Sequence, residues 1–359
     1  MKLFEEYHLG TLKFKNRVVM SPMTRCRAIG NIPNDLMAEY YNQRSGAGLI
    51  ITEGTSPSPN GLGYARIPGV YSHEQVQGWK KITDIVHKEG SKIFLQIMHT
   101  GRVSHPDNME ENAKIIAPSA IKLSGEMYTD TKGPQSYPQP KEMTLDEINE
   151  AQEEFVQAAK NAMRAGFDGV EIHGANGYLI EQFINPASNN REDEYGDSIE
   201  NRSRFVLEVA TKVIEAIGAE STGIRLSPYG VFNDMEIFDS VDETFEYIAD
   251  QLGKMKLAYI HIVDHSSMGT PEVPESIKLK IKEAFNGPII ISGGLNKESA
   301  EKALNENKGD LAAFGRPFIA NPDLVRRMKN DQELTEPDQD TFYSAGEEGY
   351  TDYPTFQNQ

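Results

Sequence analysis

Short apolar runs alternate along this chain with longer amphipathic stretches. The runs are Val18–Met20, Leu49–Ile51, Ile93–Ile97, Val170–Ile172, Gly223–Leu226, Tyr259–Val263, Pro288–Ser292 and Leu311–Phe314. They lack clean polar alternation, which predicts strands covered on both faces. Pro22 follows the first run and ends it, because proline has no amide hydrogen to give to a ladder. Between the runs lie stretches with helical spacing. Pro33–Gly46 repeats Leu36, Tyr40 and Arg44, and 74–89 places Val76, Trp79, Ile82, Ile85 and Val86 on one face. Thr144 and Glu147 form a capping box that opens a helix to about Ala165, where Gly166 stops it. Further helices are predicted over 201–217, 241–255, 276–285 and 297–305, and a last one starts at Asp323.

Eight strands separated by helices predict an α/β fold, a (β/α)8 TIM barrel, as a single domain over 1–359. A doubly wound sheet is the rival, but no GxGxxG sequence follows the first strand. Residues 1–14 alternate and predict an N-terminal hairpin ahead of the barrel. Residues 99–141 are polar, broken by prolines and too long for an ordinary connection. They predict a loop insertion after strand three, carrying a small hairpin and lying over the active-site mouth. The tail from Asp331 is expected to be irregular and rich in aromatics.

Composition narrows the class of function. The chain has 359 residues and a formal net charge of -18. Such a surface repels phosphate backbones and argues against nucleic acid as a partner. Cys26 is the one cysteine, so neither an internal disulfide nor a cysteine cluster can form, and the thiol has no visible activating arrangement. No apolar stretch approaches membrane-spanning length, and the first residues lack a signal peptide's apolar run. A cytoplasmic protein with no membrane partner is expected.

In a barrel, residues just after each strand share one mouth. The first three strands bring Pro22, Met23 and Thr24, then Thr52, Glu53 and Gly54, then Gln96 and His99. The fourth brings His173, Asn176 and Tyr178, and the fifth Arg225. The sixth brings Asp264 and His265. The last two bring Gly293 and Gly294, then Gly315 and Arg316. Glycines that bare backbone amides, together with one arginine, suit a phosphate. His173 and Asn176 can jointly hold an oxygen that gains charge, and Tyr178 can give a proton. A buried histidine bonded to backbone and a packed tyrosine are the plainer account of the same triplet. Asparagine is a poor zinc ligand, so no metal centre is expected. Arg225 inside a barrel needs an anionic partner, either Glu53 or an acidic cofactor edge. His265 beside Asp264 suits a general-base pair or a loop cap.

Several longer segments carry a resemblance. They are NRVVMSPMTR, GYARIPG, LQIMHTGR, GIRLSPYG, IISGG, FGRPFIANPDL, EEGYTDYP and the run through His173 and Asn176 to Phe205. Together they resemble the Old Yellow Enzyme family of flavin-dependent ene-reductases, over essentially the whole chain. The resemblance implies tightly but non-covalently bound FMN, with NADPH or NADH as reductant. It implies ping-pong reduction of the activated C=C bond of α,β-unsaturated carbonyl compounds, with nitro compounds as a further class. It places Pro22, Met23, Thr24, Gly54, Gln96 and Arg225 around the flavin ring. Gly293, Gly294, Gly315 and Arg316 would hold its phosphate. His173 and Asn176 would grip the substrate oxygen, Tyr178 would donate the proton, and Tyr64, Met98, Phe342 and Tyr343 would line the pocket. Thr24 matches the branch with threonine there, and Met98 stands where some relatives carry tryptophan. Monomers and homodimers both fit the resemblance. A flavin-free barrel lyase or isomerase, and a barrel that only binds flavin or a phenol, are the alternatives.

Overall fold

The computed structural model describes residues 1–356. Eight parallel strands close into a barrel in sequence order: Val18–Met20, Leu49–Ile51, Lys92–Ile97, Gly169–Gly174, Thr222–Leu226, Tyr259–Ile262, Ile289–Ile291 and Leu311–Phe314. The last strand closes on the first, with Ala312 beside Val18 and Phe314 beside Met20. Helices between the strands cover the outside. The N-terminal hairpin is present, with Tyr7–Leu9 antiparallel to Leu12–Phe14.

The strand interiors do alternate, but between two apolar environments at one end and an apolar and a polar one at the other. Ile93, Leu95, Ile97, Val170, Ile172, Ile224 and Leu226 face outward into the helix layer. Their neighbours face the barrel axis. Low in the barrel the inward residues are apolar: Val19, Leu49, Phe94, Tyr259 and Leu311 pack with Leu9 and Phe14 of the hairpin. The hairpin therefore plugs the floor. One step toward the strand C-termini, the inward residues become Gln96, Glu171, His173, Arg225 and His261, all buried. The register sets them side by side, with Glu171 opposite Gln96 and Arg225 between His173 and His261.

The capping box forms as expected. Glu147 N–H donates to Thr144 Oγ1 at 3.2 Å, and Thr144 N–H donates to the Glu147 carboxylate at 3.0 Å. The helix predicted from Asn201 starts at Ile199, because Ser198 is its cap. Two short helices were not foreseen, Leu179–Ile184 and Arg316–Ala320. Each is under two turns, too brief for an apolar period to show. The insertion folds as an antiparallel hairpin of Glu126–Thr129 with Gly133–Ser136, and Ile116–Ala117 pairs in parallel with Lys141–Glu142.

Asn16 ties the entrance of the first two strands. Its Oδ1 accepts from Val18 N–H at 3.1 Å and Gly48 N–H at 2.8 Å, and its Nδ2 donates to Gly46 O at 3.0 Å. Asn16→Ala strands the buried Val18 N–H and leaves Gly48 N–H only its bond to Val18 O at 3.0 Å, and should lower unfolding free energy by about 1–3 kcal/mol in urea titration. A midpoint equal to wild type would show that water replaces the side chain at no cost.

Candidate active site

The fourth strand ends at Gly174, and the chain turns through Asn176 and Gly177 with φ of 60° and 73°. Gly177 is required, since a Cβ there would sit 2.5 Å from Phe232 O. The turn is fastened from below. Asn176 N–H donates to Ser227 Oγ at 3.0 Å, and Ser227 Oγ–H donates to Glu181 at 2.6 Å. Gly177 N–H donates to the other Glu181 oxygen. Glu181 stands on the short helix Leu179–Ile184, so that helix is what holds the turn in place. Burial pushes the Glu181 carboxyl up to about 7.

His173, Asn176 and Tyr178 then line one cavity of about 1040 Å³. The rings of His173 and Tyr178 stand edge to face, 5.0 Å apart. The Tyr178 hydroxyl lies 2.9 Å from the Tyr64 hydroxyl, within hydrogen-bond distance. Burial holds both phenols well above their usual range. Burial, and after it Arg225, holds the His173 imidazole well below its usual range. The triad therefore offers a neutral imidazole, an amide and a protonated phenol.

Below it lies the polar layer of the barrel. Gln96 Nε2 donates to Glu171 at 2.8 Å, and the other Glu171 oxygen is 3.0 Å from His261 Nδ1. Arg225 is buried beside this pair, yet its side chain makes no hydrogen bond to a described residue, and Nε is fully enclosed. An enclosed guanidinium without acceptors is costly, so the site is built for an anionic or carbonyl-rich ligand. Glu53 is not the partner expected for it. That carboxylate accepts from Arg25 N–H at 3.3 Å and from the Tyr41 hydroxyl at 3.4 Å, away from the cavity.

The other sequence-derived residues converge on the same space. Pro22, Met23, Thr24, Gly54, Gln96, Met98 and Arg225 line it, as do Gly293, Gly294, Gly315 and Arg316. Gly293 and Gly294 have φ of 124° and 61°, and a Cβ on either would lie within 2.8 Å of Asp264 or Ser267. Arg316 is exposed and makes no hydrogen bond or ion pair with a described residue. Bared amides and a free cation fit a phosphate, and Arg225 fits the electron-rich edge of a flavin ring. Volume at the top of the usual range for one ligand leaves space for a second molecule over the first.

Tyr64, Phe342 and Tyr343 complete the lining. Phe342 and Tyr343 arrive on the C-terminal segment, which two buried arginines clamp. Arg25 donates to Phe342 O and Gly349 O at 3.1 and 2.6 Å. Arg27 donates to the carbonyls of Thr341, Phe342 and Glu348 at 2.8–2.9 Å. Arg66 bridges this segment to the insertion, donating to Tyr343 O at 2.9 Å and pairing with Asp130. Met127, Tyr128 and Tyr137 of the insertion face the cavity as well.

Some expectations for the mouth fail. Thr52, Glu53 and His99 do not reach the cavity; His99 turns back to accept from Gly101 N–H at 3.1 Å. Asp264 is a cap and ion-pair partner, to Ser266 N–H at 2.9 Å and Lys278 at 2.7 Å, rather than half of a general-base pair. His265 contacts Asn176 instead, at 3.0 Å. Cys26 is buried in the cavity wall, and burial pushes its thiol up to about 12, which disfavours the reactive thiolate. Among the described residues no group of three His, Cys, Asp or Glu is placed to hold a metal ion, and no helix is long and apolar enough to cross a membrane.

A second hollow of about 560 Å³ lies beside Asn189, Arg191 and Arg202. Its arginines are spent on backbone carbonyls of Pro118, Met143 and Ile184. It has no strand-end chemistry.

Comparison with known proteins agrees with this geometry. Residues 2–335 match the NADH:flavin oxidoreductase / NADH oxidase family. The chain is 42% identical to 12-oxophytodienoate reductase 1 of Oryza sativa subsp. japonica, covering 98% of this chain and 92% of the relative. It is 41% identical to a protein of Leishmania infantum named "Probable flavin mononucleotide-dependent alkene reductase", covering 96% and 95%. A solved structure of morphinone reductase in complex with tetrahydroNAD superposes with a TM-score of 0.94 at 40% identity, covering 100% of this chain and 98% of that one. The chain thus belongs to the NADH:flavin oxidoreductase / NADH oxidase family, the Old Yellow Enzyme group of FMN-dependent ene-reductases.

Proposed function

We propose that the strand-four triad performs the substrate chemistry: His173 and Asn176 hold the carbonyl oxygen of an α,β-unsaturated compound, and Tyr178 protonates its α carbon. The observation that carries this reading is the convergence of three neutral donors, from six consecutive residues, on the cavity that also encloses the unpartnered Arg225. Pro22, Met23, Thr24, Gly54, Gln96 and Arg225 would surround the FMN ring. Gly293, Gly294, Gly315 and Arg316 would take its phosphate. When bound, FMN would supply the redox chemistry, with hydride coming from NADH or NADPH and going to the β carbon of the alkene.

The residues of the chain supply the rest. Hydrogen bonds from His173 and Asn176 strengthen as charge moves onto the oxygen, so they favour the transition state over the bound substrate. His173 is neutral, so it donates through one ring N–H and adds no second positive charge beside Arg225. Tyr178 is a weak acid in this setting, and gives up its proton only to a strongly basic carbon. Tyr64, 2.9 Å away, is placed to donate to the phenolate left behind. The 99–141 insertion, through Met127 and Tyr137, would cover the mouth and keep water from that carbon. A nitro group presents two acceptor oxygens to the same pair of donors and is the second substrate class.

The test begins with the purified protein and its flavin absorbance near about 450 nm. NADPH should bleach it anaerobically and 2-cyclohexenone should restore it. In Tyr178→Phe, bleaching should keep its rate within about threefold, while recovery slows by about 10²-fold or more. Recovery at the wild-type rate would remove Tyr178 from the proton step.

Glu181 gives a pH-dependent readout of the turn beneath Asn176. Its carboxyl keeps a proton in the folded chain up to about 7, against an ordinary 4.5. Its contribution to stability is therefore full below the ordinary value and is lost as pH rises through the folded one. Between about pH 5 and pH 8, Glu181→Gln should lose less Tm than wild type does. Parallel Tm profiles would mean that Glu181 ionises as freely in the fold as in the unfolded chain.

A further inference from the structure

Asn176 can present either of two opposite groups to a substrate oxygen. Its backbone is fixed: N–H donates to Ser227 Oγ at 3.0 Å, and its carbonyl accepts from Asn233 Nδ2 at 2.8 Å. The remaining freedom is the side-chain amide. Turned one way it offers N–H donors to the cavity; turned over it offers a carbonyl oxygen, which repels a substrate oxygen. The repulsion would grow as enolate charge develops.

One side chain decides between these orientations. His265 Nε2 lies 3.0 Å from Asn176 Oδ1, and no described residue accepts a hydrogen bond from Asn176 Nδ2. The ring comes from the loop after strand six and stands edge to face on Phe232, with centroids 4.7 Å apart. The adjacent Asp264 does not draw it away, because that carboxylate is held by Ser266 N–H and Lys278. Burial, and after it Arg225, holds the imidazole down at about 4, so near neutral pH the ring carries a single N–H. With that hydrogen on Nε2, Oδ1 is engaged and Nδ2 is left for the cavity.

We propose that His265 is a positioning residue: its Nε2–H donates to Asn176 Oδ1 and keeps the amide turned so that Nδ2 meets the substrate oxygen. The inference rests on the reading of Asn176 as a substrate ligand. It makes His265 a determinant of how well an oxygen acceptor is held, without contact to the reacting carbons.

The experiment uses the holoenzyme with 2-cyclohexenone and, as a non-reacting oxygen probe, 4-chlorophenol. Two substitutions separate donor from shape. His265→Phe keeps a ring against Phe232 and removes the N–H, whereas His265→Gln keeps an N–H and removes the ring. His265→Phe should lower kcat/KM by about tenfold and weaken 4-chlorophenol by a similar factor, with flavin content unchanged. His265→Gln should stay within about threefold of wild type. On an Asn176→Ala background, His265→Phe should cost nothing further, since the group it orients is gone. If His265→Phe does not retain flavin, His265→Leu takes its place in the same cycle. The proposal is overturned if the donor-free variant equals wild type, or if Gln is as damaging as Phe. It is also overturned if the tenfold loss persists on Asn176→Ala. Should Asn176→Ala alone leave kcat/KM and phenol affinity intact, the substrate role of Asn176 fails and this proposal with it, an outcome visible before position 265 is touched.

Discussion

A positive charge enclosed without an acceptor is the constraint around which the upper barrel is arranged. Arg225 points inward from the fifth strand, between His173 and His261, and finds no hydrogen-bond partner among the described residues. Desolvating a guanidinium this way is tolerable only if negative potential comes from nearby. Glu171 supplies part of it, one strand away, while bonded to Gln96 and His261. The remainder is left to whatever occupies the cavity. The same charge acts on the histidines: after burial, Arg225 is the largest influence keeping both His173 and His265 unprotonated. Beside the triad, the positive charge thus sits on a residue that cannot give up a proton, while the hydrogen-bond donors around it stay neutral.

Much of this architecture was legible in the chain. All eight apolar runs are barrel strands, since three to six residues of buried parallel strand need little more than apolar side chains and a terminator. The convergence of Thr24, Gln96, His173, Arg225 and Gly294 follows from the barrel rule that strand ends share one mouth. The alternation within GVEIHG was also on view, once the polar letters Glu171 and His173 are taken as inward-facing rather than as interruptions. What could not be seen depended on side-chain direction. Glu53 and His99 follow strands as closely as Gly54 and Met98 do, yet turn into the protein wall. His265 sits next to Asp264 in sequence, and of the two roles open to that pair, general base or loop cap, Asp264 takes the cap. The partner of His265, Asn176, is 89 positions away, a distance no local pattern bridges.

The helix Leu179–Ile184 shows why a brief element can matter more than a long one. It has too few residues to be stable alone. All six are buried, so packing sustains it. In return it sets Glu181 beneath the turn, where that carboxylate accepts from Gly177 N–H and from Ser227. The left-handed turn is therefore specified by glycine at one position and by a buried acid four residues later.

The clamp made by Arg25 and Arg27 has a consequence for assembly. The barrel ladder is complete once Leu311–Phe314 meets Val18–Met20. Phe342 and Tyr343 come later in the chain, held by carbonyl bonds rather than by strand pairing. During synthesis the barrel can therefore close while one wall of its cavity is still missing. The last wall of the cavity is thus fastened by two arginine side chains, and a ligand there lies against a segment that no strand pairing secures.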